Sequence, residues 1–240
     1  MFQRLLSGFF GSKATWPDHF DTIVSLGFNC EVSFRIQDHL HGHLDSYPFS
    51  WCYLYGNANL PRCMEHPEEL LSGPITLQTN GMLRCEVSHL AFHGKTPLEL
   101  LRPAEGPVDP LVLEQTIEEL KSRVNHLNQK FQTLLQGEQT TLFVSKNAKL
   151  ALDPQQARED IAELSLWLET HYKGGKFLHV VVVEAPYLTP ALRKMENDHL
   201  TFRAVSSFAK EGKAKSGGDH AGWAAIFNEF DPGAEAYPSH

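Results

Sequence analysis

The residues able to do chemistry in this chain centre on one thiol and a few histidines. Cys30 closes the segment Ser25-Leu26-Gly27-Phe28-Asn29-Cys30, where an apolar run stops and a helical pattern starts. A cysteine in the first turn of a helix faces unpaired N–H groups and the positive helix end, both of which favour the thiolate. That is what a cysteine nucleophile needs. The plain alternative is a small buried cysteine packed beneath the turn. Gly27 permits a sharp turn, and Asn29 suits left-handed backbone or a helix cap. A thiol nucleophile requires a general base and a group that orients it. Candidates are His89 and His93 in Ser88–His93, and His220 with Asp219 beside it. Each has a structural alternative: Asp219 capping a helix over 221–230 with His220 exposed, and His89 bonded to backbone in a strand-like segment. Asp45, Tyr47, Phe49 and Trp51 lie in a polar, aromatic turn that is expected to orient a loop and line a substrate pocket. His39, His41 and His43 alternate, but no acid or thiol stands at ligand spacing, so no metal is expected and the segment reads as a solvated turn.

The composition sets bounds on what such a site serves. The chain has 240 residues, 42% of them apolar and 21% charged, which suits one globular domain with a core of its own. A formal charge of −8 without a basic block argues against non-specific nucleic-acid or anionic-membrane binding. The four cysteines, Cys30, Cys52, Cys63 and Cys85, are too few for a disulfide scaffold and form no CxxC pair, so thiolate zinc is not expected and a reducing, cytoplasmic setting is. The apolar stretch Leu5–Phe10 is too short for a signal core or a membrane span, so residues 1–18 are expected to form an N-terminal arm without stable membrane insertion.

The elements that must position the site follow from periodicity. Asp21–Leu26, Thr140–Ser145, Phe177–Glu184 and His199–Val205 read as buried strands, and the unbroken Val180–Val183 as a strand covered on both faces. Helical patterns run over Glu31–Leu40, Pro110–Leu135 and Pro154–Tyr172, the last with Asp153 as N-cap, Pro154 at the first helical position and Gly174-Gly175 as its stop. Strand–helix alternation predicts an α/β fold, a mostly parallel sheet of about four to five strands flanked by helices, within a single domain over 19–240. The stretch 47–110, rich in Pro, Gly and Asn, reads as an irregular insertion after the first βα unit, with short helices and a small hairpin.

The turn and the aromatic block together resemble a known family. Ile23–Cys30 followed by Ser46-Tyr47-Pro48-Phe49-Ser50-Trp51 is similar to the SLG-x-x-C and Y-P-F-D-W signature of a bacterial and viral family of unknown function, grouped as papain-like cysteine peptidases. The likeness runs loosely over 20–185, through the histidine segment near His89. It implies a thiol-dependent hydrolase with Cys30 as nucleophile and His89 as base. Ser50 replaces the family's acid, Ser145-Lys146 stands where its Phe-Val strand meets Arg, and His89-Leu90-Ala91-Phe92 loosens its His-Asp-Phe. Asp219-His220 also resembles the late Asp/His block of SGNH-type acyl hydrolases, at a different spacing. The alternation of elements favours a Rossmann-like or SGNH-like sheet over the papain layout.

Two function classes result. The first is a cysteine-dependent hydrolase or acyltransferase acting on an amide, ester or thioester of a small-molecule or peptide substrate. Cys30 attacks, His89 or His220 shuttles the proton, and N–H groups of the Phe28–Glu31 turn hold the oxyanion. The second is a non-catalytic binding or accessory protein for a glycan or nucleotide-sugar in surface-polysaccharide assembly, with Cys30 structural. Neither requires a cofactor, and both leave the oligomeric state open.

Overall fold

The β-branched and aromatic runs form strands wherever both their faces can be covered. The structure, a computed structural model, describes residues 16–17, 19–42, 44–55, 59–94, 101, 108–210 and 212–231. The expected N-terminal arm lies almost wholly outside the described residues, as does His43. Four parallel strands, β1 (Thr22–Ser25), β6 (Thr141–Lys146), β7 (Phe177–Glu184) and β8 (Leu200–Val205), pair in the order β1-β6-β7-β8. Val24 stands beside Phe143, Phe143 beside His179, and Val180 beside Thr201.

Alternate residues of these strands serve opposite faces. Leu142, Val144, Leu178, Val180 and Val182 pack against α1 (Glu31–His39) and α6 (His220–Phe230), through Val32, Ile36, Trp223 and Phe227. Val24, Phe143 and Phe177 face the other way, onto α3 (Pro110–Gln136) and α4 (Pro154–His171). The short α5 (Pro190–Arg193) closes that second face near β8, where Leu192 joins Val181, Val183 and Phe202. The fold class read from the alternation is therefore the one observed.

Acidic caps set the helix starts. Asp109 accepts from Leu111 N–H, Asp153 from Gln156 N–H and Asp219 from Gly222 N–H, each satisfying a donor that the helix leaves open.

The insertion departs from the irregular segment expected. Its short apolar pieces build a second sheet, antiparallel, in the order β2-β5-β4-β3, from β2 (Cys52–Leu54), β3 (Ile75–Leu77), β4 (Met82–Cys85) and β5 (Leu90–His93). A short helix, α2 (Leu60–Glu65), capped by Asn59, stands between β2 and β3. This sheet sits against the α3/α4 face, since Leu83, Leu90 and Phe92 share one core with Val24, Phe131, Phe143 and Trp167. Strands of three or four residues hold no register alone and depend on that shared core.

Candidate functional site

At the carboxyl end of β1 the backbone turns through two successive left-handed residues, Gly27 at φ 81° and Phe28 at φ 81°. Glycine is required at the first, because a Cβ there would lie 3.0 Å from the Phe49 carbonyl oxygen. Phe28 carries real backbone strain, of the kind that concentrates at functional turns. Its carbonyl accepts a hydrogen bond from Leu54 N–H at 3.2 Å, which ties the turn to β2. Asn29 Oδ1 accepts from Glu31 N–H at 3.0 Å. Cys30 thus becomes the N-cap residue of α1, one place before the first turn, and makes no side-chain cap of its own.

The ionisation of Cys30 runs opposite to the helix-end expectation. The side chain is buried, and desolvation pushes the thiol up to about 11, against weaker pulls from its own backbone N–H and from Lys146. The two candidate bases are engaged elsewhere. Arg84 Nη2 donates to His89 Nδ1 at 3.2 Å, and Arg35 Nη1 donates to His220 Nδ1 at 2.9 Å. An arginine has no acceptor, so each Nδ1 accepts and each ring proton sits on Nε2. Asp219, proposed as the orienting acid, caps α6 through Gly222 N–H and also accepts from Ser206 N–H at 2.7 Å.

The remaining sequence-picked residues build the walls behind the turn. Tyr47 and Phe49 are buried with their rings edge-on to Phe131, and burial pushes the Tyr47 phenol up to about 12. Trp51 Nε1 donates to Ser46 Oγ at 3.0 Å, and its ring meets Phe34. Asp45 pairs with Lys130 at 2.7 Å. Ser50, in place of the family acid, accepts from Tyr47 N–H at 3.0 Å, closing the aromatic turn. His39 ends α1 and bonds the Asp231 carbonyl at 3.1 Å, while His41 is exposed in a left-handed turn.

An open cleft does lie at the carboxyl ends of β1 and β6, between the two sheets and α4, with about 540 Å³ of space including its mouth. Such edges are where α/β sheets build sites. Its apolar floor is formed by Leu26, Phe28, Leu54, Leu60 and Leu164. The polar part of the lining is already paired: Asn59 Nδ2 donates to Glu163, and Lys149 Nζ to Asp160 Oδ2 at 3.0 Å. Asn147 and Lys146 complete the lining.

Lys146 is the residue that sequence reasoning passed over. It ends β6 with its side chain only 2% exposed, and its Nζ donates to Glu31 Oε2 at 2.7 Å. Glu31, wholly buried, is held by Ala209 N–H on its other oxygen at 3.0 Å, with Arg35 4.0 Å away. Arg35 in turn donates to the carbonyls of Ala214, Lys215 and Gly217, fastening the loop after β8 over the cluster. Desolvation draws the Lys146 ammonium below the usual lysine value, partly offset by Glu31. The available signal was a lysine ending an otherwise apolar strand, at the edge where sites form.

A second and larger cavity, of about 710 Å³ including its mouth, opens on the antiparallel sheet, where His89 meets Cys63, Ser88, Arg62 and Glu69. His89 therefore lines a different cavity from the cleft beside Phe28. Burial pushes the Cys63 thiol up to about 11. Among the described residues no group of three or more His, Cys, Asp or Glu is placed to hold a metal ion, and no helix is long and apolar enough to cross a membrane. Compared with family models, curated proteins and solved structures, the chain finds no match.

Proposed function

We propose that the chain is a small-molecule-binding module, and that its ligand is a neutral, polyhydroxylated molecule of the glycan kind. The lining of the cleft carries this reading. A sugar ring has an apolar C–H face and a rim of hydroxyls that both donate and accept, and the cleft offers the matching pair of surfaces. Phe28 and its leucine neighbours supply the floor, while Asn59–Glu163 and Lys149–Asp160 present acceptors and donors together. The two lysines lining the cleft are already paired, Lys149 with Asp160 and Lys146 with Glu31, which favours a neutral ligand over a phosphorylated one. Four free, buried thiols accord with a reducing, cytoplasmic setting.

The test is calorimetric titration of the wild-type chain and of Asp160→Ala with neutral oligosaccharides, a nucleotide-sugar and short peptides. Saturable binding of an oligosaccharide, weakened about tenfold (about 1.4 kcal/mol) in Asp160→Ala, is the expected result. Binding of the peptide or the nucleotide-sugar alone, or a variant as tight as wild type, overturns the reading.

A second reading, the thiol-dependent hydrolase, has one observation in its favour: Cys30 lies two residues from Phe28 of the cleft and within the field of Lys146. Turnover of a fluorogenic thioester that Cys30→Ala abolishes would carry it over the first.

A further inference from the structure

A lysine on a protein surface is hydrated and protonated near neutral pH, and it reacts slowly with carbonyl compounds. Lys146 is placed otherwise. It stands at the carboxyl end of β6, lines the cleft, and has its Nζ 5.7 Å from the Phe28 ring and 4.7 Å from the Phe208 ring. One carboxylate oxygen, Glu31 Oε2, lies 2.7 Å from that nitrogen, and Glu31 Oε1 is anchored by Ala209 N–H. A buried ion pair seldom stabilises a fold more than apolar side chains of similar size would. Stability alone therefore gives little reason for a cleft-lining lysine whose amine is held by a carboxylate buried behind it. Desolvated lysines of this kind are the ones that form Schiff bases.

We propose that Lys146 is a carbonyl-reactive amine, whose Nζ condenses with the aldehyde or ketone group of a small ligand in the cleft while Glu31 holds the displaced proton. The inference rests on the cleft being a binding site and deepens that reading to a ligand with a free carbonyl, such as the open-chain form of a reducing sugar. The step balances. The Lys146 ammonium gives one proton to Glu31, and its lone pair then forms a C–N bond to the carbonyl carbon as the C=O π pair moves to oxygen. A second nitrogen proton transfers to that oxygen, giving the carbinolamine. Glu31 returns its proton to the hydroxyl, which leaves as water as the nitrogen lone pair forms the C=N bond of a protonated imine. No oxidant or reductant takes part. Desolvation, which lowers the Lys146 ammonium from its ordinary value, enlarges the fraction of free amine that starts the step.

The test is reductive trapping. The wild-type chain is treated near pH 7 with glyceraldehyde and sodium cyanoborohydride, and the modified lysines are mapped by peptide mass spectrometry over time. Lys176 and Lys194, both exposed, serve as internal references. Modification of Lys146 at least tenfold faster than either reference, saturating with glyceraldehyde, is expected. A rate equal to or below theirs overturns the proposal, and needs no variant whose folding must be assumed. Glu31→Gln, checked for native circular dichroism, is expected to lose that advantage, and an unchanged rate in the folded variant counts against the proton-holding role. Failure here is separable from failure of the glycan reading. Saturable oligosaccharide binding without preferential trapping rejects Lys146 chemistry alone, whereas preferential trapping without oligosaccharide binding supports it and rejects the glycan.

Discussion

A thiolate beside a helix N-terminus gains only what burial leaves it, and at Cys30 burial wins. The thiol rises from an ordinary value of 9.0 to about 11, so at pH 7.5 its thiolate fraction falls about 100-fold below that of an unfolded peptide. Iodoacetamide is therefore expected to label native Cys30 about 100 times more slowly than a peptide thiol, as read by peptide mass spectrometry. Labelling at the peptide rate or faster would show an activated nucleophile and favour the hydrolase reading. Cys85 shows how local the balance is. Burial raises it as well, but the N–H groups of Ser88, Gly73 and Val87 and the Ser88 hydroxyl bring it below its ordinary value. The position of Cys30 was legible in SLGFNC because a strand end, a glycine and a helix start are adjacent in sequence. Its ionisation was not, because the burial around it depends on non-local packing, including β2 against the turn. The same holds for Lys146, whose partner Glu31 lies 115 residues away in the chain.

Elements were legible where a period had room to repeat. Phe177–Glu184, with its run of valines, and the eighteen-residue helix α4, opened by Asp153-Pro154, announced themselves with little error at either end. The antiparallel sheet did not, because Cys52–Leu54 and Ile75–Leu77 are three residues each and their pairing is long-range. Asp219 has the capping role that its sequence allowed beside a catalytic one. One carboxylate accepts from Gly222 N–H to start α6 and from Ser206 N–H to hold the chain leaving β8. Asp219→Ala is expected to cost about 1–2 kcal/mol in urea unfolding at neutral pH. The Ser206 and Gly222 N–H groups hold the Asp219 carboxyl below 3.8, its unfolded value. The sign of its linkage follows: the stabilisation is complete above the unfolded value and is lost as pH falls through the lower, folded one. The gap between wild type and variant should thus narrow between pH 5 and about pH 2. A gap that stays constant or widens on acidification would show that the carboxylate contributes nothing through its charge.

At the scale of the molecule, the two sheets are expected to unfold together, because one core passes through both. Phe131 of α3 stands at its centre, 5.8 Å from the Phe49 ring, 6.2 Å from Tyr47 and 6.5 Å from Trp167, and only 2% exposed. The same core holds Val24 and Phe143 of the parallel sheet and Leu83, Leu90 and Phe92 of the antiparallel one. The cleft has walls from both halves: Leu26 and Lys146 from the parallel side, Leu54 and Leu60 from the insertion. A cleft shared in this way stays formed only while the halves remain docked, which makes their coupling a condition of the binding proposed for it. Phe131→Ala removes a buried ring from the junction and is expected to cost about 3–5 kcal/mol. Hydrogen exchange followed by mass spectrometry, in peptides over 82–93 and over 141–146, reads the two sheets separately in one sample. Equal loss of protection in both peptides is the outcome a shared core requires. Loss over 82–93 with wild-type protection over 141–146 would mean that the insertion folds as an appendage, and a cleft built between the halves could then open without unfolding the parallel sheet.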